Sequence, residues 1–147
     1  MVEMLVAFSI ITVSVLFASA VAQKSLYVSR QAMHSAQAAF LLEEGVEAVR
    51  TLRADAWSNI SALAENTDYY PVFTGGVWTL SASPAAVGIF TRVVRIEPAL
   101  RDDITKNIAE SGTEDPDSKL VTVEVSWTEG GTTLTKTLQF YLMNIFS

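Results

Sequence analysis

The feature that most constrains this chain is a long stretch without charge near its N-terminus. From Met4 to Gln23 no charged side chain occurs. A helix over this run reaches about 30 Å at about 1.5 Å rise per residue, which matches the hydrocarbon core of a bilayer. Glu3 stands directly before the run, where a membrane anchor or a signal peptide usually carries Lys or Arg. The sequence therefore predicts a membrane-length helix headed by a carboxylate that needs a neutralising partner.

Three interpretations of this segment are open. The stretch Ala20 to Ala22 fits the small-x-small site of a cleaved secretory signal, although the residues before the run include no Lys or Arg. The length and the following Lys24 and Arg30 fit a single-pass anchor, which leaves Glu3 unexplained. In the third interpretation a bilayer holds the helix first, and the helix later packs against copies of itself. A positive group of a neighbouring subunit then neutralises Glu3.

Composition limits the rest of the chain to one globular domain behind this helix. Half of the 147 residues are hydrophobic, and the formal net charge is -6. Such an acidic chain is not expected to bind nucleic acid in general, because neutralising phosphates requires clustered Lys and Arg. The chain has no cysteine, which excludes disulfides, thiolate metal sites and cysteine nucleophiles.

Helical periodicity continues well beyond the uncharged run. No Pro precedes Pro71 and no Gly precedes Gly45. Apolar residues recur at spacings close to 3.6 in two sets; these are Leu26, Met33, Phe40 and Leu41, and then Leu42, Val46, Val49 and Leu52. A single helix from about Val2 to about Arg53 would be about 78 Å long. Its second half is expected to lie on a sheet, and Gly45 would permit a close approach.

Strand and turn signals dominate the C-terminal half. Gly75-Gly76 and Glu129 to Thr132 read as tight turns between strands, and Ile89 to Ile96 is rich in strand-forming residues. Leu120 to Thr128 alternates between apolar and polar side chains, and Leu134 to Leu142 returns with one apolar face. Lys136 interrupts that apolar face, so we expect it near the rim of the sheet.

These signals predict an α+β fold in which the long N-terminal α-helix packs by its second half on an antiparallel β-sheet of about four strands. We divide the chain into a hydrophobic helix (1–23) and a globular domain (24–147), with the helix continuing over 24–53 and the sheet from about 69. Asp55 and Ser58 are candidate N-caps for a short turn through Leu63. We expect the C-terminal region to be closed by strand pairing and by aromatic and aliphatic side chains, namely Tyr141, Ile145 and Phe146.

No arrangement of residues predicts an enzyme, a cofactor or a metal site. The single histidine, His34, lies on the helix, where a structural or solvent-facing role is expected, and the sequence has no GxSxG, HExxH or P-loop motif. The segments Asp102-Asp103 and Glu114 to Asp117 read as acidic loops, and their spacing differs from that of an EF-hand calcium loop. Asn59-Ile60-Ser61 fits the glycosylation acceptor pattern, which is short and often fortuitous.

The N-terminal residues resemble a known family. Val2-Glu3-Met4-Leu5-Val6-Ala7, followed by the long apolar run, is similar to the N-terminus of bacterial type IV pilins and pseudopilins. Glu3 matches the glutamate that is the signature of that family, and the resemblance covers roughly Met1 to Arg53. In the family a prepilin peptidase cleaves a leader after a glycine, and the new N-terminal residue is N-methylated. The family has further residues before the Val-Glu pair, whereas Met1 alone precedes Val2 here. Either the sequence starts within that pattern or its processed end is atypical.

The resemblance implies the type IV pilin fold and a function as a structural subunit of a type IV pilus-like extracellular filament on the bacterial surface. Assembly would depend on Glu3, Val2, Leu5 and Phe8. The expected partners are further copies in a helical homo-oligomer, the inner membrane before assembly, the pilus assembly machinery and the prepilin peptidase. The alternatives are a minor pilin, a pseudopilin of type II secretion or competence, and a single-pass membrane-anchored binding domain.

Overall fold

The computed structural model describes residues 1–145 and begins with one long helix. Helix α1 runs from Val2–Asp55 without interruption, as the absence of Pro and the apolar periodicity predict. A short helix, α2, follows at Ser58–Ser61. The chain divides into two compact units, an N-terminal unit (Met1–Gln37) and a C-terminal unit (Ala38–Ser147). The N-terminal unit consists of α1 residues, and all strands belong to the C-terminal unit.

The strands of the C-terminal unit form one antiparallel sheet. They are β1 (Asp68–Thr74), β2 (Val77–Ser81), β3 (Ala86–Val87), β4 (Phe90–Arg101), β5 (Ile108–Ala109), β6 (Thr113–Glu129) and β7 (Thr132–Met143). Five of them follow one another in the order β2-β1-β4-β6-β7, while β3 and β5 pair with β4. The sheet therefore has seven strands within the described residues, and the expectation of about four is wrong.

The additional strands come from segments that sequence patterns describe poorly. Strands β3 and β5 have two residues each, which is too short for alternation to show. The segment Glu114 to Asp117, expected to be a loop, lies within β6. Glu114 and Asp115 pair with Leu100 and Ala99 of β4 beyond a register shift between Pro98 and Ala99, and Pro116 and Asp117 lie in the bulge at that shift. Pairing with a neighbouring strand thus overrides the low strand propensity of Asp115.

Both predicted hairpin turns are present. Gly75 and Gly76 join β1 to β2 with φ of 63° and 84°, and Gly130 and Gly131 join β6 to β7 with φ of 58° and 81°. Two consecutive residues with positive φ match the twist of the flanking strands, and glycine adopts this conformation without a steric penalty. These two pairs of glycines therefore set the register of the outer hairpins.

The core of the C-terminal unit lies between the second half of α1 and one face of the sheet. Of the predicted stripe, Leu42, Val46 and Val49 are buried, and Leu52 is partly buried against them. The stripe packs in one cluster with alternate residues of the two central strands, namely Phe90, Val94 and Ile96 of β4 and Val121, Val123, Val125 and Trp127 of β6. The alternation read along β6 is confirmed, because its even-numbered neighbours occupy the other face.

Gly45 permits the close approach that its position in mid-helix predicts. A Cβ atom at this residue would lie 2.8 Å from Cγ1 of Val123 and 3.1 Å from Cδ of Arg92. Real Cβ atoms essentially never approach a neighbour more closely than 3.0 Å. The helix backbone therefore rests directly on the sheet at the junction of β4 and β6.

Two local expectations are wrong. The N-cap of α2 is Trp57, which makes no side-chain capping bond, and Asp55 instead accepts a hydrogen bond from the Asn59 amide at 3.0 Å. Tyr141 and Ile145 do not close the core, since both side chains are exposed. Phe146, the third residue of that expectation, lies outside the described residues.

Polar contacts fasten the end of β7 in place of the expected apolar closure. The backbone N–H of Asn144 donates to the carbonyl of Asp117 at 2.8 Å, and its side-chain amide donates to Oδ1 of Asp117 at 3.1 Å. Leu142 is the buried apolar residue of this region. Lys136 lies on β7, an edge strand, as its interruption of the apolar face predicts.

Candidate functional site

The N-terminal unit presents apolar side chains all around its helix. The exposed fractions are 74% for Val2, 68% for Leu5 and 72% for Phe8, and the apolar residues that follow are similarly exposed up to Val28. The most apolar 18-residue window of α1 has a mean hydropathy of 2.4, and none of that window is buried. By length and composition, this helix is able to cross a membrane. In water so large an exposed apolar surface would be unfavourable.

Three hydroxyl groups of the uncharged run are satisfied within the helix. Ser9 donates to the carbonyl of Leu5 at 2.7 Å, and Thr12 donates to that of Phe8 at 2.8 Å. Ser14 makes the same bond one turn back, to Ile10, at 2.8 Å. Because each hydroxyl already bonds a preceding carbonyl, none of them requires water or a partner chain. The helix can therefore enter an apolar environment without leaving these groups unpaired.

The four residues expected to direct assembly lie at the start of α1. Val2, Leu5 and Phe8 are three residues apart, so they follow one side of the helix. Glu3 lies in the first turn, where the unpaired backbone N–H groups favour a negative charge. No part of the chain that the structure describes forms a salt bridge with Glu3. Glu3 is thus available to a cation from outside its own chain.

A second unusual group, Arg92, lies buried in the C-terminal unit. Its side chain is 3% exposed. It donates to the carbonyl of Leu41 on α1 at 3.4 Å and to that of Pro71 on β1 at 3.3 Å. The guanidinium also lies 3.2 Å from a carboxylate oxygen of Glu44 and 5.4 Å from the ring centre of Trp78. One residue of β4 thereby joins the helix to the β1–β2 hairpin.

The position of Pro71 explains why an arginine is needed there. Strand β1 pairs with β4 only through Asp68 and Tyr69. Pro71 has no N–H to donate to β4, so the ladder stops before it. The Arg92 guanidinium binds the Pro71 carbonyl at the place where the two strands separate. The sequence does not predict this role of Arg92. The available signal was a charged residue at every-second-residue spacing with Phe90, Val94 and Ile96, which form the core.

The acidic residues near the β4–β6 connection are paired within the chain. Nε of Arg101 donates to Asp115 at 2.6 Å, and Oγ of Ser118 donates to the same carboxylate oxygen at 2.7 Å. These two bonds hold the pKa of Asp115 below its usual value. Asp102 accepts bonds from the backbone and the side chain of Thr105, which lower its pKa.

Lys119 completes this set of ion pairs. Its ammonium group lies 2.5 Å from Glu65 and 2.9 Å from Glu114. Burial by itself would lower the pKa of Lys119, but the bonds to the two carboxylates outweigh that effect and raise it. Among the described residues no group of three or more His, Cys, Asp or Glu side chains could hold a metal ion. The carboxylates here serve as partners of Arg101 and Lys119.

The glycosylation acceptor pattern lies in a poor position for modification. The Asn59 amide donates to the carbonyl of Leu52 at 3.1 Å and to Asp55. Ile60, the middle residue of the pattern, is fully buried in α2. The nitrogen that a glycan would occupy is therefore engaged in holding α2 against the end of α1.

Comparison of the chain with protein-family models, with curated proteins and with solved structures found no match.

Proposed function

We propose that this chain is the structural subunit of a type IV pilus-like filament with a type IV pilin fold, and that it assembles through its N-terminal helix. The observation that carries the proposal is the combination of a fully exposed, uncharged helical run with one carboxylate, Glu3, in its first turn. The α+β architecture of the C-terminal unit is compatible with this proposal. The subunit is held in the inner membrane before assembly. An assembly machine then extracts it into an extracellular helical polymer of identical chains.

The energetics of such a transfer give Glu3 its importance. Burial of apolar helix surface among neighbouring helices contributes about 25 cal/mol per Å² relative to water. Relative to lipid this contribution largely vanishes, because lipid tails are as apolar as the helix. Packing between helices, energy from the assembly machine and the neutralisation of Glu3 therefore decide whether a subunit enters the filament. The partner for Glu3 would be the N-terminal amine of a neighbouring subunit.

Glu3 then acts as a device that sets register. An unpaired carboxylate in an apolar bundle is strongly unfavourable. Only a subunit whose Glu3 lies beside a positive amine is tolerated, and a shift along the bundle axis separates the two groups. Val2, Leu5 and Phe8 supply the apolar side of the same helical turns. This explains why a carboxylate precedes a run that is otherwise free of charge.

Replacement of Glu3 tests this role. We expect Glu3→Ala and Glu3→Gln to leave membrane insertion intact, since both changes make the segment less polar or less charged. Filament yield should fall at least about tenfold, because leaving one partner of a buried ion pair without the other costs about 3–5 kcal/mol. Membrane fractionation measures insertion, and electron microscopy of fibres sheared from the cells measures assembly.

A matched control tests whether the effect depends on where on the helix a carboxylate is removed. Glu43 lies on the same helix and is exposed within the C-terminal unit, so Glu43→Gln should leave both insertion and filament yield near those of the parent chain. Normal filaments from the Glu3→Ala chain would rule out the proposed role of Glu3. If the parent chain remained in the membrane as a monomer, the result would favour a membrane-anchored binding domain.

A further inference from the structure

The sheet of the C-terminal unit has two free edges of different character. In the described residues β2 and β7 stand at opposite ends of the order β2-β1-β4-β6-β7. Each therefore has one row of backbone N–H and C=O groups without a strand partner. A free edge is able to accept another extended strand, and two different edges on one subunit allow a head-to-tail contact.

The β7 edge is long and nearly uncharged. It has 12 residues, and its outward side chains Thr133, Thr135 and Thr137 are exposed and polar without charge. On the other face, Leu138 remains 40% exposed, although its cross-strand partner Val123 is fully buried. Helix α1 therefore does not cover this part of β7.

Lys136 is the one charged side chain of β7. It points to the same face as Leu138, because the two residues are separated by one position in a strand. A charge that points inward on an edge strand discourages pairing with a like edge. Two β7 strands from different subunits would bring two Lys136 ammonium groups together, whereas an edge that offers a carboxylate would neutralise one.

The β2 edge offers such a carboxylate. An open groove of about 330 Å³ runs beside β2 and is lined by consecutive strand residues from Val77 to Leu80. Its far wall is formed by Leu52, Asp55 and Leu63 with Asn59. Asp55 is exposed, and the bond from Asn59 goes to Oδ2 of its carboxylate. The groove thus combines a free backbone edge, leucine side chains and a negative charge.

We propose that the β7 edge of one subunit pairs with the β2 edge of a second copy, and that Lys136 enters the groove to meet Asp55. Leu138 or Leu134 of the incoming strand then contacts the leucines of the groove. This contact deepens the proposed filament function, on which it rests, by naming a second subunit–subunit surface. The pairing is heterologous, so a pair of subunits still has one free β2 edge at one end and one free β7 edge at the other, and the contact repeats along an open polymer.

The size of the contact explains why it requires the filament. Strand β2 has only five residues, so the pairing is short. A stable association between free proteins usually buries about 1,200–2,000 Å², and a five-residue strand contact falls well below that. Subunits already held together by their N-terminal helices meet at a high effective concentration, where a weak contact becomes occupied. The edge pairing would then set the order of the outer surface.

Cysteine cross-linking in the full-length chain tests the pairing on a clean background, because the chain has no cysteine of its own. Thr79→Cys on β2 is combined in turn with Thr133→Cys, Thr135→Cys or Thr137→Cys on β7, which covers the accessible registers. Disulfides form when the two Cα atoms are about 4.4–6.8 Å apart. We expect at least one pair to give a ladder of covalent multimers from sheared fibres under mild oxidation.

Control variants test which face of the paired strands carries the cross-linked residues and whether the contact needs the charges of Lys136 and Asp55. Thr79→Cys with Leu138→Cys places the thiols on opposite faces and keeps Lys136, so this pair should give at least fivefold less multimer. In the best cross-linking background, Asp55→Lys should reduce the ladder at least threefold, and adding Lys136→Asp should restore it. Fibres that form normally but give no ladder from any of the three pairs would overturn the edge pairing alone. Absence of fibres from the parent chain would overturn both this contact and the proposed function.

Discussion

At the scale of single residues, Gly45 shows how one missing methyl group positions a helix. The buried α1 backbone lies so close to the sheet that a Cβ atom would meet Val123 at 2.8 Å. Val123 is fully buried and β-branched, so it has little freedom to move. Glycine costs helix stability of about 1 kcal/mol relative to alanine, and the close packing offsets this cost.

Gly45→Ala is therefore expected to destabilise the protein despite the higher helix propensity of alanine. Overpacking a well-filled core usually costs about 1–3 kcal/mol, which exceeds the propensity gain of about 1 kcal/mol. Thermal or denaturant unfolding in a detergent solution measures the change. The double variant Gly45→Ala/Val123→Ala is the control, because removing the valine methyls makes room for the new Cβ. The double variant should lose less stability than the sum of the losses measured for Gly45→Ala and Val123→Ala. An increase in stability from Gly45→Ala alone would contradict the close approach.

Arg92 is a second residue whose contacts join different elements of the fold. Its guanidinium bonds connect Leu41 of α1 with Pro71 of β1, and its plane lies near Trp78 of β2. Arg92→Leu would fill much of the space but leave the Pro71 carbonyl without this donor. Leaving a buried polar group unsatisfied costs about 1–3 kcal/mol.

We expect Arg92→Leu to lower the free energy of unfolding by about 2 kcal/mol and to loosen the β1–β2 hairpin selectively. Hydrogen exchange measured by mass spectrometry should show faster exchange in residues 70–81, while the β6–β7 hairpin keeps its protection. Arg95→Leu is the matched control, because Arg95 lies on the same strand and forms a more exposed salt bridge with Asp68. Equal loss of protection in both hairpins would contradict a local role for Arg92.

At the scale of elements, the start of β6 depends on paired charges. The Asp115 carboxylate is held by Arg101 of β4 and by Ser118, and these bonds lower its pKa. A carboxylate whose pKa is lower in the folded state stabilises the fold above its unfolded pKa of about 4. That stabilisation is lost as the pH falls through the lower, folded pKa.

We therefore expect Asp115→Asn to reduce stability at neutral pH and to flatten the acid side of the stability profile. The wild-type chain should lose more stability than the variant between about pH 5 and pH 2, because only the wild type loses the charged partner of Arg101. Glu110→Gln serves as the control, since Glu110 is exposed. Melting temperatures measured across this range check the expectation. Parallel profiles for wild type and Asp115→Asn would show that the Arg101–Asp115 bond contributes nothing.

The elements also show what a sequence is able to predict. The long helix, the two Gly-Gly turns and the alternation of β6 follow from local rules, because each depends on residues near one another in the chain. Strands β3 and β5 and the inclusion of Glu114 and Asp115 in β6 depend on pairing with β4, which local patterns do not encode.

The candidate site residues also differ in whether the sequence alone reveals their role. Glu3 is conspicuous in the sequence because a carboxylate stands alone before an uncharged run, and this contrast needs no tertiary structure. The role of Arg92 emerges only when α1, β1 and β2 are placed around it. Asp55 was expected to cap α2, yet the structure places it in the wall of the groove beside β2. Such roles depend on residues far apart in sequence.

At the scale of the whole molecule, the two units differ in the surfaces that they expose. The N-terminal unit is a helix with exposed apolar side chains, and its Ser9, Thr12 and Ser14 hydroxyls are satisfied within it. In the proposed function this helix lies first in lipid and then among other helices. The C-terminal unit is an α+β domain that has, within residues 38–145, two dissimilar free strand edges. In the proposed filament the first unit supplies the apolar core, and the second supplies the outer surface and the edge contact.

We propose that this chain is the principal subunit of a filament. The decisive measurement is electron microscopy of fibres sheared from the surface of cells that produce the chain, with mass spectrometry of the same fraction. We expect thin fibres built mostly of this chain, and their loss in the Glu3→Ala variant. Fibres that contain the chain only in traces would point to a minor pilin. Retention of the whole pool in the membrane, with no fibre containing the chain, would rule out a filament subunit.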